Sequence, residues 1–382
     1  VEAVGLDVSV FDEVIEKGGA AARGQLAAQL GQLLAKPDTP KSERAAVVPS
    51  VLKLATDPEI AVRRALVEGL KRAPELHTDI FFSIVADVDD IALPFLAAAP
   101  SLDGWRMLSI LKVGDVPRQV QVALRPDVTP QAIDAICSSC DMTACLALFQ
   151  NPELVLSDGN CHTLYKRFGQ SPEIVEALLA RPDLPLDIRI TQTKRASNRI
   201  HQLMAERGWV AANDAAELVV DAEETAVLKV MLNASVAELQ RVIVFLTQKN
   251  MLTPSLIVRA ACLGEMLIVE RALAHLADLP VARAQALMYR HGFKSLFGKS
   301  GLPGTCFWLL KAAVDVEREV REENVQIGRE SFGRRLIEVL MTRYENLGPS
   351  ECAKNLDFMG RFAEDRVKII ARRLKADMLR AA

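Results

Sequence analysis

Cysteine and histidine give this chain its clearest potential for metal chemistry, and four of its seven cysteines fall close together. Cys137-Ser138-Ser139-Cys140 is followed by Cys145 and then by Cys161-His162. Thiolates with an imidazole nitrogen suit tetrahedral zinc, and a C-x-x-C pair followed by a Cys/His pair superficially matches zinc spacing. Against a metal, Cys137 falls where a helix beginning at Thr129 should end. Cys145 lies in the next apolar stretch, with Leu146, Leu148 and Phe149. Small buried thiols in a helical core need no metal. A redox C-x-x-C would follow a strand in a βαβ unit, and no such pattern precedes Cys137. The spacing therefore predicts core cysteines, and no metal or other cofactor is assigned.

Gly298-Lys299-Ser300 invites comparison with a phosphate-binding loop. That motif needs a Gly five positions before the Gly-Lys, where this chain has Phe293; Gly292 is one residue out of register. A strand should lead into the loop, yet residues 282–290 read as helix. The segment 291–305 nevertheless contains Gly292, Gly298, Gly301 and Gly304 together with Lys294 and Lys299. Read as a loop, it runs into a helix that Thr305 would cap. Backbone N–H groups there, beside Lys294, Lys299 and Ser300, would hold an anion or an acidic side chain. A plain helix connector is the simpler reading.

Other constellations are sparse. His77, His162, His201, His275 and His291 stand alone, outside any H-E-x-x-H or nucleophile-elbow context. Asp87, Asp89 and Asp90 lack the Gly and terminal Glu of a calcium loop. Lys194, Arg195 and Arg199, with Trp209 nearby, form the one aromatic-plus-basic cluster that hints at nucleic acid. No catalytic centre assembles from these residues.

The elements that would position such groups are helical. Half of the 382 residues are hydrophobic, a quarter are charged and 5% are aromatic, which excludes a disordered chain and disfavours a strand-rich fold. Lys and Arg number 46 against 49 Asp and Glu, a net charge of −3. A protein dedicated to duplex DNA normally carries a basic excess. No run approaches 18 apolar residues, so no membrane span is expected. Val1-Glu2-Ala3-Val4 lacks the features of a signal peptide, and an odd number of cysteines without disulfide-framework spacing suits a reducing compartment. The expectation is a cytoplasmic protein.

Proline organises the first half. Fourteen of 18 prolines lie at or before Pro185, and many follow a capping residue: Thr39-Pro40, Asp57-Pro58, Thr129-Pro130, Asn151-Pro152 and Ser171-Pro172. A side-chain oxygen at the cap accepts from the unpaired N–H groups of the first turn, and Pro next to it has no N–H to leave unpaired. Each pair is read as a helix start. Val62, Leu66 and Leu70 then recur with helical period, as do Ile174, Val175, Leu178 and Leu179. Pro49 and Pro94 are candidates for positions inside helices. The proline ladder suggests a helix pair about every 40 residues, stacked so that each pair covers its neighbour's apolar stripe. Beyond Pro185 longer helices are expected over residues 217–232, 236–249 and 356–379. The mixed-charge run 308–344 is read as a largely helical, solvated face.

Asp57-Pro58-Glu59-Ile60-Ala61-Val62-Arg63-Arg64-Ala65-Leu66 resembles the second helix of a HEAT repeat, including its Asp and Arg positions. Arg125-Pro126-Asp127 and Arg181-Pro182-Asp183-Leu184-Pro185 recur at related junctions. Residues 252–303 are similar to the C-terminal part of an uncharacterised helical-repeat family of alphaproteobacteria. The phrases that carry the likeness are Ala272-Leu273-Ala274-His275-Leu276-Ala277-Asp278-Leu279-Pro280 and Gly298-Lys299-Ser300-Gly301-Leu302-Pro303. The similarity extends over about 180–316. It implies fold and lineage and brings no activity with it.

The expectation is an all-α bacterial protein. Residues 1–185 would form a HEAT-like α-solenoid of short helix pairs, and 186–382 a longer-helix C-terminal region into which the solenoid could continue. The expected role is a non-catalytic scaffold or adaptor that binds a protein partner. A nucleic-acid binder using the Lys194–Arg199 face is the alternative.

Overall fold

The computed structural model describes residues 8–207, 212–343 and 347–381, and all regular structure in them is helical. Trp209 and the first residues, on which two of the expectations rest, lie outside the described residues. The chain divides into two compact units, Val1–Leu184 and Pro185–Ala382.

The first unit opens with α1 (Val8–Lys17), α2 (Ala20–Ala35), α3 (Lys41–Ala55) and α4 (Ile60–Leu70). Shorter pairs follow: α5 (Thr78–Val85) with α6 (Asp89–Ala98), α7 (Gly104–Val113) with α8 (Val116–Ala123), α9 (Pro130–Ser139) with α10 (Met142–Leu148), and α11 (Asp158–Phe168) with α12 (Pro172–Leu179). These last pairs begin 26 to 28 residues apart, closer than the 40 suggested by the proline ladder, because their helices run to only 7–11 residues.

Packing follows the numbering. Each even helix lies on the next even helix from α2 to α12; among the odd helices, α1, α3 and α5 pack in series, as do α7, α9 and α11. The core between them is aliphatic, with Leu54, Leu66, Ile80, Phe81, Ile91, Phe95, Ile110 and Ile136 all fully buried. Helices this short do not hold in water alone; the buried stripe stabilises them.

Local starts are set by side-chain caps. Asp103, Asp115, Thr129, Asp141 and Ser157 each accept from a backbone N–H two or three residues on, opening α7 to α11. Pro130 and Pro172 do open helices, and Pro49 and Pro94 lie inside α3 and α6. Three other assignments need correction. Asn151-Pro152 starts no helix: it is a turn, and α11 begins at Asp158. The Thr39 hydroxyl donates back to the Leu33 carbonyl at 2.7 Å instead of capping α3. Asp57 precedes α4 by three residues: its carboxylate accepts from the Glu59 N–H just before the helix and from Arg23, and caps no N–H within α4.

The second unit comprises α13 (Leu186–Glu206), α14 (Ala212–Leu232), α15 (Val236–Gln248), α16 (Pro254–Cys262), α17 (Met266–Leu276), α18 (Val281–Tyr289) and α19 (Phe293–Ser300). Then come α20 (Phe307–Glu323), α21 (Arg329–Thr342), α22 (Pro349–Phe362) and α23 (Asp365–Ala381). Long helices are therefore not its rule, since α16 to α19 span only 8 to 11 residues. One core joins them, with Val269, Leu273, Leu309, Leu310, Leu336 and Leu356 at its centre.

The single helix expected over residues 356–379 is a hairpin. Ala363 and Glu364 break it, and α23 folds back on α22. Arg372 Nε donates to the Gly360 carbonyl at 2.9 Å, satisfying an orphan acceptor at the end of α22. Folded this way, Phe358 and Phe362 share a core with Val367, Ile370 and Leu374.

Candidate functional site

The turns after the even helices share one design. Pro74, Pro100, Pro126 and Pro152 stand 26 residues apart, each just beyond α4, α6, α8 or α10, and Pro182 follows α12. Pro cannot continue a helix, so these residues close elements where others open them. The residue before each of the first four is buried: Ala73, Ala99, Arg125 and Asn151.

The two polar members link successive turns. Asn151 Nδ2 donates to the Arg125 carbonyl at 2.7 Å, and Arg125 Nη1 donates to the Leu96 carbonyl at 2.8 Å. The rest of the Arg125 guanidinium grips Asp127 at 2.7 Å, holding that carboxyl below the usual range, and Arg181 repeats the contact to Asp183 at 2.6 Å. Other arginines bind backbone carbonyls at helix ends and in the turns between helices. Arg106 donates to the Leu76 and Ser101 carbonyls, Arg118 to those of Val85 and Asp87, and Arg167 to those of Cys137 and Cys140.

Further toward the N-terminus the links are ion pairs. Arg23 on α2 meets Asp57 at 2.6 Å, and Arg63 on α4 meets Asp87 at 2.7 Å. Sequence reasoning noticed Asp57, Arg63 and the Arg-Pro-Asp phrases but did not assign this network. Its visible signal is the 26-residue recurrence of a residue followed by Pro and then Glu, Ser or Asp.

What this frame presents outward is a stripe on α7. Trp105 is 50% exposed and Leu108 is 38% exposed, with Lys112 on the same face at the next turn. The Trp105 ring packs 5.6 Å from Phe82 of α5, and the buried Arg106 guanidinium lies 4.6 Å over Phe81. The indole is thus fixed from below and open above.

The cysteine group lies in the core. Cys137, Cys140, Cys145 and Cys161 are all buried, whereas His162 is exposed and its Nδ1 lies 2.6 Å from the Asp158 carbonyl. Burial pushes the Cys137 thiol up to about 12 and Cys145 and Cys161 to about 11. Among the described residues no three Cys, His, Asp or Glu side chains converge as a metal site.

The anion loop read at residues 291–305 is not a loop. Residues 293–300 form α19, with exposed Lys294 in its first turn and exposed Lys299 in its last. Gly301 ends the helix in the left-handed region at φ 69°, a conformation glycine adopts without strain. Ser300 is buried and its hydroxyl donates to the Phe297 carbonyl at 2.7 Å. Thr305 sits in a short helical turn, Gly304–Cys306, that runs directly into α20, and it does not cap that helix. Both phrases that suggested the family are helix ends running into turns: Asp278 and Gly301 adopt positive φ, and Pro280 and Pro303 precede the next helical turn.

Lys194, Arg195 and Arg199 lie on α13, and Lys194 is 3.9 Å from Glu223 of α14. Beneath them Glu224 accepts from the Thr253 and Ser255 hydroxyls at 2.5 and 2.7 Å. Arg259, whose guanidinium pairs with Asp221, also approaches Glu224 at 3.7 Å. A second buried carboxylate, Glu270, takes hydrogen bonds from Tyr289, Gln285 and Arg321 at 2.5, 2.7 and 2.6 Å. Arg321 also pairs with Glu317 at 2.7 Å, so the mixed-charge run is only partly solvated.

The near-balanced charge divides unevenly. The first unit carries 17 Lys and Arg against 25 Asp and Glu, a net −8; the second carries 29 against 24, a net +5.

No helix among the described residues is long and apolar enough to cross a membrane. No curated protein and no solved structure matches the chain. One family model does, over residues 91–348, a wider span than the 180–316 suggested by the sequence phrases. The chain belongs to that family, described as an uncharacterised protein conserved in bacteria (DUF2336).

Proposed function

We propose that the protein is a non-catalytic adaptor of the bacterial cytoplasm, and that its first unit is a HEAT-like α-solenoid binding a protein partner across α7 and its neighbours. The even-on-even and odd-on-odd packing supports the solenoid: each helix pair covers the next, and the arginine and asparagine bonds fix the step between them.

The observation that carries the binding role is the exposed Trp105–Leu108 stripe on its rigid base. Tryptophan supplies much of the energy of protein interfaces where it is pre-ordered and can be fully buried by a partner. The non-catalytic reading is supported by the engagement of Glu224, Glu270 and Asp57 in hydrogen bonds that use their oxygens structurally. The buried free thiols support a reducing compartment.

A photo-cross-linking residue at position 108, introduced in living cells, tests the site. It should trap a discrete protein adduct, while the same residue at exposed Gln170 should not. Equal labelling from both positions would refute the assignment.

A further inference from the structure

We propose that the cleft between α22 and α23 is a second docking site, for an acidic peptide segment that inserts a bulky apolar side chain. The cleft has a volume of about 580 Å³, inside the range of roughly 300–1,000 Å³ typical of built ligand sites. Its wall is apolar, formed by Ala353 and Phe358 from α22 and by Met378 and Leu379 from α23, with Thr305 at one end. The floor is held in place: Phe358 stacks on Phe362 with centroids 6.2 Å apart, and Phe362 is buried. Leu379, by contrast, is 63% exposed.

The charges around the cleft select the occupant. Lys354 is exposed on the rim and makes no ion pair among the described residues. Lys375, also lining the cleft, is held by Asp357 at 2.6 Å. The exposed side of α23 also carries Arg373, together with Arg366, 3.4 Å from Glu330, and Arg380, 3.9 Å from Asp377. Across residues 349–381 eight Lys and Arg face five Asp and Glu, within a unit of net charge +5. A positive rim about an apolar cleft matches a segment that alternates carboxylates with an anchor side chain, as in helix-in-groove recognition. A membrane surface fits less well. Its binding needs a continuous projecting apolar face, and the exposed apolar side chains of α23, Ile369 and Leu379, are separated along the helix by Arg372, Arg373 and Asp377.

This site is separate from the α7 stripe and stands or falls independently of it. The test uses the full chain and a fluorescein-labelled amphipathic peptide built from Leu and Glu in heptads, followed by fluorescence anisotropy. The expected result is saturable binding that weakens about tenfold when Gln replaces Glu in the peptide, and falls further with added salt. Lys354→Glu and Leu379→Asp should each weaken it by about tenfold, the scale of one lost interface contact, with helical content unchanged because both side chains are exposed. Trp105→Asp should leave it unaltered. Absence of binding, equal binding of the Gln peptide, or indifference to both cleft variants would overturn the proposal. So would sedimentation with phosphatidylglycerol vesicles in place of peptide binding.

Discussion

Asn151 reaches from the turn after α10 to the backbone carbonyl of Arg125, one helix pair earlier, with 2.7 Å between Nδ2 and the oxygen. The same side chain accepts from the Glu153 N–H at 2.9 Å, so a single buried amide both shapes its own turn and ties it to the preceding one. Asn151→Leu should cost about 1–3 kcal/mol, because the Arg125 carbonyl and the Glu153 N–H would lose their partner in a buried site. Urea unfolding followed by circular dichroism checks this, with Gln150→Leu on the exposed neighbour as the reference.

Helices α2 and α4 approach each other backbone to backbone at two glycines. A Cβ on Gly69 would stand 2.5 Å from the Gly31 carbonyl carbon, and one on Gly31 would stand 2.6 Å from the Leu66 carbonyl oxygen. Backbone cannot yield as a flexible side-chain tip can. Gly69→Ala should therefore destabilise the first unit by about 1–3 kcal/mol through overpacking. Gly24→Ala, in α2 with open space around it, should instead stabilise by about 0.5–1 kcal/mol. Opposite shifts in the unfolding midpoint would confirm the pair.

The all-helical class and several helix starts were legible because their signals are local. Thr129-Pro130 places a cap and a preset φ side by side, and nothing distant alters that. Asn151-Pro152 looks the same in sequence but does the reverse. Pro suits the residue after a helix as well as its first turn, and what decides between them is the burial of Asn151 against a carbonyl 26 residues away. The break at Ala363–Glu364 was hidden for a related reason. Both α22 and α23 face one core, so their apolar period runs through a turn that contains neither Gly nor Pro. Net charge misled differently, since a near-zero total concealed −8 and +5 in the two units.

Acid should reveal the Arg23–Asp57 link. Burial alone would raise the Asp57 pKa, but hydrogen bonds from Arg23 and the Glu59 N–H hold it below the ordinary value. The folded state then binds fewer protons than the unfolded one at this group. Its stabilisation is present above the unfolded value of about 4 and lost as pH falls through the lower folded value. Asp57→Asn should thus be less stable than wild type at neutral pH by about 1–3 kcal/mol, with the difference shrinking below about pH 4. A constant difference across that range would assign the effect to packing.

Burial raises the thiols of Cys137, Cys145 and Cys161 far above the free value. At pH 8 the native protein should react with a thiol-specific chromogenic disulfide only on the timescale of local opening, whereas all seven cysteines should react at once in denaturant. Prompt reaction of any of these three thiols in the native state would contradict their placement in the core.

The central claim is that α7 carries the partner site, and affinity capture from bacterial extract tests it most directly. Wild type and the Trp105→Asp, Leu108→Asp double variant are compared by quantitative mass spectrometry after circular dichroism has matched their helical content. The predicted result is a protein recovered with the wild type and depleted by about tenfold or more with the variant, the loss expected for a buried aromatic anchor. Equal recovery of every protein with both would contradict the account.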